Sequence, residues 1–310
     1  MTWELQELSD ETLSLLAIDG LGSTTLHKLV QATGGLHEVG HALLKRSVDD
    51  IFPSGGGDLL RKRMQMINTG SLRMSASAAQ AKLLTSVDSD FPAQLRPLPA
   101  CPALLWYRGN IEHASASGVA IVGSRRCTQY GRHQTDFFSS EIARADLAIF
   151  SGGARGIDGI AHRAAIRSGS GNVVVLGSGI NIPYPPEHAS LFDEILEVGG
   201  VVISEFQCDR APQPANFPRR NRIVSGLSSS VLVIEAAKRS GALITARIAV
   251  EEHGREVFVL PGRIGDSASA GCLRALEEGW VRIALEPGVV IAETKSAYRR
   301  LMKSNCEEHQ

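Results

Sequence analysis

Three guanidiniums fall within four positions at Arg219, Arg220 and Arg222, with the ring of Phe217 and the amide of Asn221 beside them. Arginine stays charged and offers a planar fork of donors that matches phosphate oxygens. An aromatic ring next to such a fork suits a single-stranded nucleic acid, whose bases stack while its backbone is held. The same residues also suit an arginine-rich helix start paired with carboxylates. The block alone leaves both readings open. Pro218 pins the backbone ahead of the arginines, and the apolar run Ile223-Val224-Ser225-Gly226-Leu227 follows at once. That pattern puts the block at the mouth of a packed element.

The elements able to position it lie between about Leu104 and Leu260. Seven short Val/Ile-rich runs, Leu104–Tyr107, Val119–Val122, Leu147–Phe150, Val173–Leu176, Val201–Ile203, Val231–Ile234 and Val257–Leu260, read as strands buried on both faces. Helix-length chain separates most of them. Ile157, Ile160, Ala161, Ala164 and Ala165 have the i, i+3, i+4, i+7, i+8 spacing of one helical face. Strand–helix alternation predicts an α/β fold, an extended Rossmann-like, doubly wound and mainly parallel sheet, in which ligands sit beyond the carboxyl ends of the strands.

Those strand ends share a chemistry. Gly123-Ser124-Arg125-Arg126, Ser151-Gly152-Gly153-Ala154-Arg155-Gly156, Gly177-Ser178-Gly179, Ser204-Glu205, Glu235-Ala236-Ala237-Lys238-Arg239-Ser240-Gly241 and Pro261-Gly262-Arg263 each follow a strand run. Glycine lets a ligand approach the backbone, and hydroxyls with helix N-terminal amides bind anions. So many on one edge predict an anion-binding site. No G-x-x-x-x-G-K-[ST], full G-x-G-x-x-G, H-E-x-x-H or G-x-S-x-G occurs, so no nucleotide cofactor and no metal are expected. Asp158 and His162, four residues apart, suit an acid–base pair or, preferably, a helix cap or a local pair. Glu205 and Glu235 suit catalytic carboxylates or, preferably, braces that orient arginines.

The first 75 residues read as short helices, with Gly20-Leu21-Gly22 as a turn between two of them. Such a turn either presents amides to a DNA phosphate or is a plain glycine-capped corner, the reading preferred here. Pro53–Asp58 reads as a loop with Asp58 as N-cap for Leu59–Ile67, and Ala76–Leu84 as a further helix before the proline-rich segment Phe91–Pro102. The expected organisation is a helical domain over 1–75, a sheet domain over 76–292 and a short tail over 293–310. Lys+Arg (32) nearly balance Asp+Glu (33), so nucleic-acid binding would need a local basic patch. Five scattered cysteines with no C-x-x-C fit reduced thiols in a cytoplasmic protein. The acidic start MTWELQELSDE has no signal-peptide core, and no run approaches the ~20 apolar residues of a membrane span.

Taken in order, Gly123-Ser-Arg, Tyr130-Gly131-Arg132, Ser151-Gly-Gly-Ala-Arg-Gly-Ile-Asp158, Ala161-His162, Gly177-Ser-Gly179, Tyr184-Pro185, Ser204-Glu205, Phe217–Ile223, Glu235-Ala236, Ser240–Thr245 and Val257–Gly262 resemble the DNA-processing protein DprA (Smf) family of bacteria over roughly residues 90 to 285. The resemblance implies a Rossmann-like domain that binds single-stranded DNA, dimerises and helps load the recombinase RecA during natural transformation, with no cofactor and no catalysis. It also implies a DNA site at Ser124, Arg125, Gly152, Gly153, Gly177, Gly179, Phe217, Arg219, Arg220, Asn221 and Arg222. Lys238 and Arg239 join that site as strand-end cations. The helical N-terminal part resembles the family's SAM-like or helix-hairpin-helix module. The chain departs from the family pattern at His188, at Gly271-Cys272-Leu273-Arg274 and at Gly279-Trp280, and residues 293–310 are too few for a winged helix. A nucleotide or nucleotide-sugar enzyme using the same edge, and a protein-binding scaffold with structural arginines, are the alternatives.

Overall fold

A computed structural model describes residues 5–52 and 54–307. Pro53 and the first residues of the acidic N-terminal stretch lie outside the described residues, as does the side chain of Cys306. The chain opens with five helices, α1 (Asp10–Leu16), α2 (Ser23–Thr33), α3 (Val39–Leu44), α4 (Gly56–Met64) and α5 (Thr69–Ala78). Ser9 caps α1 by accepting from the Thr12 amide, and the left-handed Gly34 ends α2. Two expectations in this part fail. Asp58 sits inside the first turn of α4 behind Gly55, where it pairs with Arg46 and Arg61 instead of capping. The stretch expected as one helix over 76–84 is the end of α5 followed by a strand, because Leu83 and Leu84 find a sheet edge to pair with.

Nine strands form one sheet: β1 (Lys82–Thr85), β2 (Leu104–Gly109), β3 (Gly118–Val122), β4 (Ala148–Ser151), β5 (Asn172–Leu176), β6 (Val201–Ser204), β7 (Ser230–Val233), β8 (Glu256–Val259) and β9 (Arg282–Ile283), in the order β1-β2-β6-β5-β4-β3-β7-β8-β9. All seven strand runs read from the sequence lie in it. From β3 to β9 every pairing is parallel, and β1 and β2 pair antiparallel at one edge. The residues of β3 and β5 are buried throughout, as continuous apolar strands between two helix layers must be.

One layer holds α6 (Gln129–Arg144), α7 (Ile157–Ser168) and α12 (Pro287–Glu307), whose Phe138, Ile142, Ile157, Ala161 and Val290 pack on Val119, Ile121, Ile149 and Phe258. The helix α8 (Ala189–Glu197) extends that layer over β5 and β6. The other layer holds α9 (Asn216–Leu227) and α10 (Gly241–Glu251), packed on Val122, Phe150 and Val231. A short helix, α11 (Ala270–Glu277), stands between β8 and β9. Most of the residues expected as a tail belong to α12, where buried Thr294 exchanges a 2.6 Å hydrogen bond with Ser230 of β7. The five N-terminal helices share a core with Leu83, Leu104, Trp106, Ile180 and Cys208, which fastens them to the antiparallel edge. Among the described residues no helix is long and apolar enough to cross a membrane. The cysteines Cys101, Cys127, Cys208 and Cys272 are free and buried, and burial pushes their thiols up, Cys208 to about 12 and Cys272 to about 11.

Candidate nucleic-acid interface

The chain winds outward from β3 through β4 and β5 to β6, then returns to place β7 on the other side of β3. The neighbouring strands β3 and β7 therefore send their connections in opposite directions, which opens a crevice beyond their carboxyl ends. A cleft of about 430 Å³ occupies that crevice. Its walls come from the turn after β3 (Gly123, Ser124, Arg125, Arg126), the turn after β4 (Gly152, Ala154), the start of α9 (Phe217, Pro218, Arg220, Asn221) and the start of α10 (Arg239 to Thr245). Three helices, α7, α9 and α10, thus begin at the cleft, and the first-turn amides of a helix favour an anion.

Each wall is held by local bonds. The Ser124 hydroxyl accepts from the Arg126 amide at 3.1 Å, which closes the turn and leaves both arginine side chains exposed. Ser240 caps α10 by accepting from the Leu243 amide. The floor is Arg220, which is 4% exposed and donates to the Val175 carbonyl at 2.7 Å. Burial pulls its guanidinium down to about 10, opposed by the buried carboxylate of Asp158, and its Nε has no partner. The same burial pushes Asp158 up, against the pull of Arg220. Gly152 makes room for this floor, since a Cβ there would lie 1.8 Å from the Arg220 Nη1.

Phe217 stands at the rim. Its ring lies over Gly177, 5.5 Å from the Tyr184 ring, with the Arg125 guanidinium 5.3 Å from its centroid. The side-chain Nδ2 of Asn216 donates to the Gly177 carbonyl at 3.1 Å and fixes the entry to α9. His188, at one of the departures from the family pattern, lies 2.9 Å through Nδ1 from the Gly153 carbonyl and steadies the turn after β4.

Ser124, Arg125, Gly152, Phe217, Arg220, Asn221 and Arg239 therefore meet at one cleft. Arg219 and Arg222 turn elsewhere. Arg219 pairs with Asp19 at 2.8 Å and lies over the Phe206 ring, while Arg222 pairs with Glu205 and donates to the Ala100 carbonyl. Gly153, with φ +66, makes close contact with Phe192, and Gly179 packs on the backbone of Gln207 and Cys208, so both glycines serve packing. Lys238 lines an adjoining groove. Two carboxylate expectations change. Among the described residues Glu235 pairs with no arginine and instead accepts from the Thr128 amide at 2.9 Å, bracing the start of α6. Asp158 and His162 do not pair: Asp158 accepts from the Ala154 amide, and His162 Nδ1 lies 2.6 Å from Asn172 Oδ1. Burial holds His162 down to about 4. The glycine turn at Gly20–Gly22 is tied to the segment that leads into β2, with the Ser23 amide donating to the Cys101 carbonyl. Arg126, Ser240 and Gly241, absent from the expected site, also line the cleft, and all three stand in the strand-end turns whose glycines, hydroxyls and cations mark that edge in the sequence.

Residues 82–295 match the family model of DNA recombination-mediator protein A. Protein Smf of Escherichia coli is 44% identical over 259 residues, which span 82% of this chain and 69% of that protein. The structure of DNA processing protein A (DprA) from Streptococcus pneumoniae superposes with a TM-score of 0.79 at 32% identity, over 92% of this chain and 98% of that one. DNA processing protein A from Helicobacter pylori, solved for its single-stranded DNA binding mode, gives 0.62 at 28% identity, over 71% and 97%.

Proposed function

The chain belongs to the family of DNA recombination-mediator protein A, and we propose that its cleft binds single-stranded DNA, with Ser124, Arg125, Gly152, Phe217, Arg220, Asn221 and Arg239 as the contacting residues. The observation that carries this reading is the set of cations at one cleft. Arg125, Arg126 and Arg239 are exposed and make no ion pair among the described residues, and Arg220 lies beneath them with its Nε unpartnered. A row of such guanidiniums holds consecutive phosphates, and Phe217 beside them gives a base an aromatic face. The first-turn amides of α10 and the turn after β3 complete the cradle.

In this reading the protein works by binding and not by catalysis, as a cytoplasmic homodimer that protects a single strand and passes it to the recombinase RecA. No cofactor takes part. Arg219 and Arg222 act indirectly, by fixing α9 against Glu205 and the helical domain. Fluorescence anisotropy with single- and double-stranded oligonucleotides across a salt series tests the proposal. Arg125→Ala combined with Arg239→Ala should weaken single-strand binding and flatten the slope of log K against log salt by about 0.7 per lost phosphate contact. An unchanged slope in a folded variant removes the cleft from DNA binding. Strong stabilisation by a mononucleotide, with none by oligonucleotides, favours the nucleotide-enzyme reading instead.

A further inference from the structure

The cleft does not end at α10. A second groove of about 540 Å³ opens between α10 and α11, and Arg239, Ser240, Gly241 and Ile244 line both spaces. The second groove adds Lys238, Arg247, Arg274, Glu278 and Trp280. Both volumes fall within the roughly 300–1,000 Å³ of ordinary ligand sites. The two spaces are thus neighbouring stations on one surface, joined across the N-terminal turn of α10.

The second groove shares exposed cations at its N-terminal end with the first, while its further cations, Arg247 and Arg274, are held by carboxylates. Lys238 and Arg239 at its entrance are exposed and make no ion pair among the described residues. Beyond them, Arg247 lies over the half-buried Trp280, with its guanidinium 4.5 Å from the ring centroid. Two carboxylates hold this stack: Glu278 accepts from Trp280 Nε1 at 2.9 Å and pairs with Arg247 at 3.0 Å and with Arg274, and Glu251 pairs with Arg247 at 3.1 Å. The bond of Glu278 to Arg274 and then to Trp280 keeps its carboxyl below the usual range, so it stays ionised. The Arg247 side chain is still 48% exposed and lines the groove. A guanidinium plane is a stacking surface for an unpaired base, and here its orientation is set before any ligand arrives.

We propose that the groove between α10 and α11 is a second subsite for single-stranded nucleic acid, in which a strand leaving the cleft passes Lys238 and Arg239 and stacks a base on the Arg247–Trp280 pair. The proposal rests on the single-strand reading of the cleft and deepens it. It gives the chain a site size longer than the cleft alone, and a polarity of occupancy in which short strands fill the cleft and longer ones reach the groove.

The experiment compares binding of short and long labelled oligothymidylates, short ones confined to one station and long ones able to span both, by the full chain. Wild type should bind the long strand more tightly than the short one beyond the statistical gain in positions. Arg247→Gln should weaken the long strand roughly tenfold, the weight of one lost stacking contact, and leave the short strand unchanged. Long oligothymidylate should also quench Trp280 emission, and Trp280→Phe should abolish that quenching while keeping most of the affinity, since a ring remains. Equal affinity for both lengths, or long-strand binding by Arg247→Gln equal to wild type, overturns the subsite and leaves the cleft intact. The cleft is judged separately by Arg125→Ala on the short strand; if that variant binds normally, the cleft reading fails instead. Loss of recombinase binding by Arg247→Gln with DNA binding unchanged overturns the proposal in favour of a protein contact.

Discussion

Replacing Gly152 by alanine probes the floor of the cleft directly. Gly152 has an ordinary backbone conformation, so alanine meets no torsional strain there. The obstacle is Arg220, whose Nη1, Cζ and Nη2 would lie 1.8, 2.3 and 2.5 Å from the new methyl group and are its three nearest neighbours. No real contact is that short, so the guanidinium must leave its berth. Leaving breaks its charged bond to the Val175 carbonyl, worth about 1.5–3 kcal/mol, and strands a buried acceptor. Leaving also returns to water a cation that burial had pulled down to about 10, which offsets part of the loss. The balance is a loss of about 2 kcal/mol, a fall of roughly 3 °C in Tm for a chain of 310 residues. A double-mutant cycle isolates the cause. In an Arg220→Ala background the methyl group fills vacated space, and Gly152→Ala should cost within about 0.5 kcal/mol of nothing, because alanine also restricts the unfolded chain. Urea unfolding of the four proteins measures the cycle, and anisotropy follows the loss of DNA binding in the single variant. An equal cost of Gly152→Ala in both backgrounds would refute the argument that this glycine exists to seat Arg220.

Two further predictions concern groups behind the site. Arg222→Ala leaves Glu205, whose side chain is 9% exposed, with Arg219 at 3.6 Å as its remaining ion pair among the described residues, so urea unfolding should show a loss of about 2–3 kcal/mol, while the folded variant binds DNA more nearly like wild type than Arg125→Ala does; the reverse pattern would put Arg222 on the DNA. His162 is fully buried and held to about 4, so the unfolded chain takes up a proton between pH 6.5 and 4 that the folded one refuses. Its contribution is complete above about pH 6.5 and drains as pH falls, about 2.5 kcal/mol by pH 4.5, with a similar share from His253. His162→Gln should lose correspondingly less stability than wild type between pH 7 and pH 4.5, and equal acid sensitivity of the two proteins would dismiss the argument.

Local pattern was enough for the strands and their turns. Runs such as Val119–Val122 and Val173–Leu176 are apolar at successive positions because both faces of a central parallel strand are covered, and that requirement is written in consecutive residues. Where the pattern was equivocal, the neighbours decided: Leu83 and Leu84 became a strand because Leu105 and Trp106 offered an edge, and the residues after 292 became helix because Ser230 of the sheet received Thr294. The family resemblance, carried by the ordered turns, supplied the class of ligand expected of the edge.

The division of labour within the arginine block was not in the sequence. Arg219, Arg220 and Arg222 have one chemistry and adjacent numbers, yet they end in three environments. A helix turns by about 100° per residue, so neighbouring side chains leave it in different directions. What waits in each direction comes from far along the chain: Asp19, 200 residues away, for Arg219; the Val175 carbonyl and the space above Gly152 for Arg220; Glu205 and the Ala100 carbonyl for Arg222. The residue types fixed that cations would gather at this edge and that an anion would suit them. Only the packing of α9 on the sheet, with Asp19, Glu205 and the Ala100 carbonyl beside it, chose Arg220 to floor the cleft and set the other two to hold the helix in place.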